Sequence, residues 1–101
     1  MAKRIIWSRQ AERVFNKILE FYIERNGSKT YSRKLNQEII SLVSILSNHP
    51  FIGIESDYKD IRILIKGNYK IYYKIKEDKL IIHLVWDSRQ NQESISGKLI
   101  Q

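Results

Sequence analysis

A chain of 101 residues with 43% apolar and 11% aromatic side chains can bury one core but not two, which excludes disordered, collagen-like and multidomain proteins. Eighteen Lys and Arg against eleven Asp and Glu leave a net charge of +7, which favours an anionic partner such as RNA, DNA or an acidic protein. Without cysteine there is no disulfide framework, thiolate nucleophile or Cys-ligated zinc, as fits a reducing compartment. The opening MAKRIIWSRQ lacks a signal-peptide apolar region, and no run approaches the roughly 20 apolar residues of a membrane span. A soluble, cytoplasmic single domain over residues 1–101 is expected, with residues 92–101 as a tail.

In chain order, KRIIW reads as a short strand ending at Ser8, whose hydroxyl suits a helix N-cap. Ala11, Val14, Phe15, Ile18, Leu19, Tyr22 and Ile23 then recur at steps of three and four, the period of one helical face. Asn26-Gly27 stops this helix, and Ser28 or Thr30 can cap a second. In it Tyr31, Leu35, Ile39, Leu42, Val43 and Leu46 keep the helical spacing until Asn48-His49-Pro50. FIGIESDY, residues 51–58, shows no clean period and reads as a loop. From Asp60 the period becomes two, giving a strand to Lys66 and two more at Tyr69–Lys76 and Lys79–Asp87. The expected architecture is α+β, ordered β-α-α-β-β-β, with a two-helix hairpin on one face of a mainly antiparallel four-stranded sheet.

A three-residue turn at Gly67–Tyr69 sorts the strands most cleanly. It sends Ile61, Ile63, Ile65, Ile71, Tyr73 and Ile75 to the helices, and a two-residue Glu77-Asp78 turn adds Leu80, Ile82, Leu84 and Trp86. The open face then carries Arg62, Lys66, Lys70, Tyr72, Lys74, His83 and Arg89, with Asp87 and Val85. Cations beside an aromatic ring and an imidazole can hold phosphates, stack a base and move a proton. The same alternation fits an ordinary half-solvated strand, in which His83 and Tyr72 simply pack. The chain has no phosphate-cradling Gly loop and no HExxH, and His49 and His83 are not spaced as a metal pair. No metal or other cofactor is expected, and any enzyme here would be metal-free.

The strand IIWS, the helix opening at Ser8 and Ala11, the LSNHPFIG junction, DIRIL, NYKIYYKI, LIIHLVW and the terminal Arg89 resemble, in order and spacing, the RelE/ParE toxins of bacterial type II toxin–antitoxin modules. The resemblance spans residues 4 to about 93. It implies a growth-inhibiting toxin neutralised by a small acidic antitoxin whose flexible segment wraps its basic surface. RelE-like members cut mRNA on the ribosome without a metal, and ParE-like members poison DNA gyrase. Against the RelE-like pattern, Lys70 stands where an Arg follows Tyr69, Arg89 matches the Arg beyond the last strand, and Arg62 matches a basic residue after one gap. The pattern's final Tyr falls on Ile95.

On the RelE-like reading, which ranks first from sequence, Lys70 and Arg89 stabilise charge on the scissile phosphate and His83 is the acid or base. Arg62, Lys66 and Lys74 then hold backbone phosphates while Tyr72 orients or stacks a base. The gyrase reading needs only a binding surface, including the tail. A third reading is a basic RNA-binding domain that keeps the fold without the activity.

Overall fold

In the computed structural model, which describes residues 2–89, the elements are β1 (Arg4–Trp7), α1 (Arg9–Asn26), α2 (Thr30–Asn48), β2 (Ile54–Glu55), β3 (Arg62–Lys66), β4 (Tyr69–Lys76) and β5 (Lys79–Asp87). Ile95 and the tail at 92–101 lie outside the described residues. The sheet order is β1-β5-β4-β3-β2, with β1 parallel to β5 and the other pairs antiparallel. The expected α+β architecture is present, but the sheet has five strands rather than four. Ile54 and Glu55, from the stretch read as loop, pair with Ile63 and Arg62.

Local chemistry accounts for the helix ends. Ser8 is extended, and its Oγ accepts the Ala11 N–H at 3.0 Å while donating to the His83 carbonyl at 3.1 Å. Such a cap is worth about 1 kcal/mol, and this one also ties α1 to β5. Gly27 closes α1 in the left-handed region at φ 67°, donating its N–H to Ile23 O. The second helix starts differently from expectation. Its N-cap is Lys29, already near helical dihedrals and without a side-chain cap bond, so neither Ser28 nor Thr30 fills that role. Ser32 instead donates its Oγ to Leu19 O at 2.7 Å, joining the two helices. The apolar stripe of α1 (Ala11, Val14, Phe15, Ile18, Tyr22) and that of α2 (Leu35, Ile39, Val43, Leu46) are buried as their spacing predicts.

The register differs from the expected one at two places. Lys66 pairs with Tyr69, so the β3–β4 turn has two residues, with Gly67 at φ 58° in its first central position. Ile63 therefore lies beside Tyr72 and Ile65 beside Lys70, on the face away from the helices, while Arg62 and Lys66 lie on the helix side. On β5, Tyr72 pairs with Leu84 but Tyr73 with Ile82, leaving His83 as an extra residue in a β-bulge. Beyond it the alternation is reversed. Val85 and Asp87 face the helices with Ile71 and Tyr69, and Leu84 and Trp86 face the other way. Tyr72, Leu84 and Trp86 are nonetheless buried, so the sheet centre is enclosed on both faces.

The segment between α2 and β2 is held by groups rising from the helix side of the sheet. Tyr73 Oη donates to Pro50 O at 2.7 Å and accepts the Gly53 N–H at 3.0 Å. A Cβ on Gly53 would meet Tyr73 Oη at 2.4 Å and Ile63 O at 2.9 Å. The site thus admits only glycine, for reasons of space. Gly53→Ala is expected to cost roughly 2 kcal/mol or more, as overpacking of a rigid site does. Tyr73→Phe in the same background should not restore stability, because the Ile63 carbonyl contact remains; urea melts of the single and double variants check this.

Candidate functional site

At the end of β5 the reversed alternation aims Asp87 into the helices. Tyr22 Oη of α1 donates to Asp87 Oδ2 at 2.8 Å. Arg89 turns back on the same carboxylate, with Nε on Oδ1 and Nη2 on Oδ2, both at 2.9 Å, and its main-chain N–H on Oδ1 at 3.0 Å. Arg89 Nη2 also donates to Tyr69 Oη at 3.0 Å, and Tyr69 shares a 2.7 Å hydrogen bond with Tyr31 of α2. The guanidinium carbon stands 5.0 Å from the Tyr22 ring centroid and 5.8 Å from that of Tyr69. One bidentate ion pair thus joins both helices to β4 and β5.

These contacts set the protonation of the cluster. Burial pushes the Asp87 carboxyl up, but hydrogen bonds from the Arg89 side chain and main chain and from Tyr22 outweigh it and hold Asp87 below its ordinary value. The hydrogen bond to Asp87 raises Arg89 still further into its charged form. Burial, then the bond to Tyr31, lifts the Tyr69 phenol well above its ordinary value, and burial with the bond to Asp87 lifts Tyr22. The cluster holds a fixed carboxylate and guanidinium beside the neutral phenols of Tyr22 and Tyr69.

The other residues singled out from sequence do not meet there. Arg62 Nη2 donates to Gly53 O at 2.6 Å and Phe51 O at 3.1 Å, and its guanidinium carbon lies 5.5 Å from the Phe51 ring centroid. It staples a loop instead of standing on an open cationic face. Lys66 is exposed at the end of β3 on the helix side. Lys70 and Lys74 are half-buried on the opposite face, as expected. Tyr72 shares that face but is only 4% exposed, so its ring is not open for stacking. His83 occupies the bulge, its carbonyl bonded to Ser8 and its Nε2 enclosed without a hydrogen-bond partner among the described residues. Lys70 and the Arg89 guanidinium lie on opposite faces of the sheet, and Arg89 does not share the open face it was assigned.

Sequence reasoning missed the Tyr22–Asp87–Arg89–Tyr69–Tyr31 network, whose members are spread over α1, α2, β4, β5 and the residues just after β5. The Lys76–Lys79 pair follows from the expected Glu77-Asp78 turn, but sequence reasoning missed that Arg4, paired with Lys79, extends it into a cationic row on the open face. The alternation Tyr-Lys-Ile marked half of that row; the rest needed the parallel pairing of β1. Among the described residues no group of His, Asp and Glu is placed to hold a metal, and no helix is long and apolar enough to cross a membrane.

Residues 5–92 match the family described as ParE toxin of type II toxin-antitoxin system, parDE. The solved structure titled "Chromosomal ParDE TA system from P. aeruginosa" is similar with a TM-score of 0.73 at 19% identity, over 85% of this chain and 96% of that one, and so shares the fold. No curated protein gives a significant match. The chain belongs to the ParE toxin family of type II toxin–antitoxin systems, and membership implies a cognate antitoxin as partner.

A carboxyl held below its unfolded value stabilises the folded state above roughly pH 4, and that contribution is lost as pH falls through the folded value. Asp87→Asn should therefore flatten the acid limb of the stability curve. It should also lower stability at pH 7 by about 1.5 kcal/mol, since the charge-assisted hydrogen bonds to the buried carboxylate are lost while the half-exposed Arg89 stays hydrated. Urea melts between pH 3 and 7 are the measurement.

Proposed function

We propose that the chain is the toxin of a type II pair, held in check by a small acidic antitoxin, and that it arrests growth by binding DNA gyrase rather than by cutting mRNA. The observation that carries this reading is the disposition of Arg89. Its guanidinium is spent on Asp87 and Tyr69, on the side of the sheet opposite Lys70. Metal-free RNA cleavage asks for cations, an acid or base and a stacking ring converging on one phosphate. Here Lys70, His83 and Arg89 do not converge, and Tyr72 is buried. A protein target asks only for surface, which the exposed Phe21, Phe51, Ile52 and Ile54 supply. Family membership supports the same choice, because gyrase is the target the ParE branch implies.

Induced expression without antitoxin separates the readings within one culture. Gyrase-dependent DNA breaks are expected, with intact messenger, and Lys70→Ala and His83→Ala should arrest growth as the parent does. Ribosome-phased mRNA cuts that vanish in Lys70→Ala would establish the RNA-cleaving reading instead, with Arg62, Lys66 and Lys74 as phosphate contacts. A folded chain that leaves growth untouched would point to the binding-only domain.

A further inference from the structure

Tyr72, Leu84 and Trp86 lie on the face of the sheet turned away from the helices, with Ile63 beside Tyr72 and Lys70 beside Trp86. They are as hidden as the core: Leu84 is 0% exposed, and Tyr72 and Trp86 are 4% each. Helices α1 and α2 are not their cover, because both pack on the opposite face, over Ile71, Tyr73, Ile82 and Val85. Apolar side chains on a bare sheet face keep much of their surface in water, as the rim of this same face shows: Ile65 is 52% exposed and Ile54 58%. Tyr58, from the loop before β3, flanks Tyr72, and burial followed by this neighbouring phenol lifts Tyr72 above its ordinary value. Leu84 and Trp86 stand one strand further in, on β5, and need a cover of their own.

The chain leaves β5 beside this strip. Ser88 N–H donates to Asn68 O at 2.7 Å and Arg89 closes on Asp87, so the exit is fixed just past Trp86. Of the 101 residues, those outside the described span are Met1 and residues 90–101. Met1 precedes β1, whose Arg4 pairs with Lys79 at the far end of β5 from Trp86. The segment 90–101 can span up to about 40 Å when extended. Neighbouring strands are about 5 Å apart, so it reaches any point of the strip. Ile95 and Leu99 stand four apart in it and fall on one side of the segment whether it is extended or helical.

We infer that residues 90–101 fold back across the outer face of β5 and β4, seating Ile95 and Leu99 on Tyr72, Leu84 and Trp86. The uncovered rim at Ile54 and Ile65 fits a cover as narrow as one short segment. Within it Glu93 offsets Lys98, so it can lie between Lys70 and Lys74 without the repulsion that a second copy at a net charge of +7 would meet. The face that sequence patterning left open is then an interior surface, and a target meets its rims and the outer side of the segment. The inference does not depend on gyrase as target, so a failed gyrase assay leaves it standing.

The full chain, labelled at its Ile and Leu methyl groups, is studied by NMR. Nuclear Overhauser contacts are expected from the Ile95 and Leu99 methyls to the rings of Tyr72 and Trp86. In a variant carrying Ile95→Ser and Leu99→Ser, the Trp86 indole N–H should exchange with solvent about tenfold faster or more, while the Ile18 and Leu46 amides keep their protection, since opening one face leaves the helix side closed. Ile95→Val with Leu99→Met should leave the indole near the parent rate, because both replacements stay apolar and close in volume. Absence of contacts from residues 90–101 to either ring, or indole exchange unchanged both in the serine variant and in a chain ending at Arg89, would overturn the inference. So would contacts that arise only between labelled and unlabelled copies in a mixed sample, which would assign the cover to a second copy.

Discussion

The extra residue at His83 decides where every later side chain of β5 points. Without it, Leu84 and Trp86 would face the helices and Asp87 would face away from them, as unbroken alternation requires. With it, Asp87 comes under Tyr22, and a buried carboxylate gains a phenol donor and a bidentate guanidinium. A carboxylate so enclosed is tolerable only because its lone pairs are satisfied by charge-assisted bonds. The bulge and the ion pair are thus one arrangement, and the attachment of both helices to the sheet through Tyr22, Tyr31 and Tyr69 follows from it.

The two arginines that looked most like phosphate ligands are both internal staples. Arg62 crosslinks carbonyls of the loop after α2, and Arg89 closes a carboxylate. The planar guanidinium suits each task, with donors spread in a fixed fork that can reach two acceptors at once. Lysines fill the complementary role. Lys76 and Lys79, with Arg4, lie on the outer face with their charge uncommitted to any described side chain, so they shape the field over that face. A high net charge therefore says little about which cation touches a partner until each one's local acceptors are counted.

The same rigidity gives the loop between α2 and β2 its character. Tyr73 and Arg62 fix Pro50, Phe51 and Gly53 through their main chains, while Phe51 remains 70% exposed and Ile52 51%. Apolar side chains on a fixed backbone lose little further freedom on contact, which favours recognition over mobility. The protein thus presents a stiff apolar surface beside the β2 edge of its sheet.

What the sequence by itself determined is what local windows contain. The helical stripes, the Ser8 cap, the Gly27 stop, the Pro50 boundary and the extents of β4 and β5 were legible because each depends on residues within a few positions of one another. The family could be read too, from the order of short motifs. The faces of the sheet were not legible, because a two-residue turn at Gly67 in place of three, and one added residue at His83, each shift the register by one and invert every side chain beyond. Both alternatives leave a similar alternation of Lys, Tyr and Ile. Only the tertiary structure decided between them, through contacts such as Tyr22 with Asp87 and Tyr31 with Tyr69, 65 and 38 residues apart in the chain. For the same reason Arg89 passed from an open cationic face to the lock of the fold: its partners are assembled by register, which no local pattern encodes.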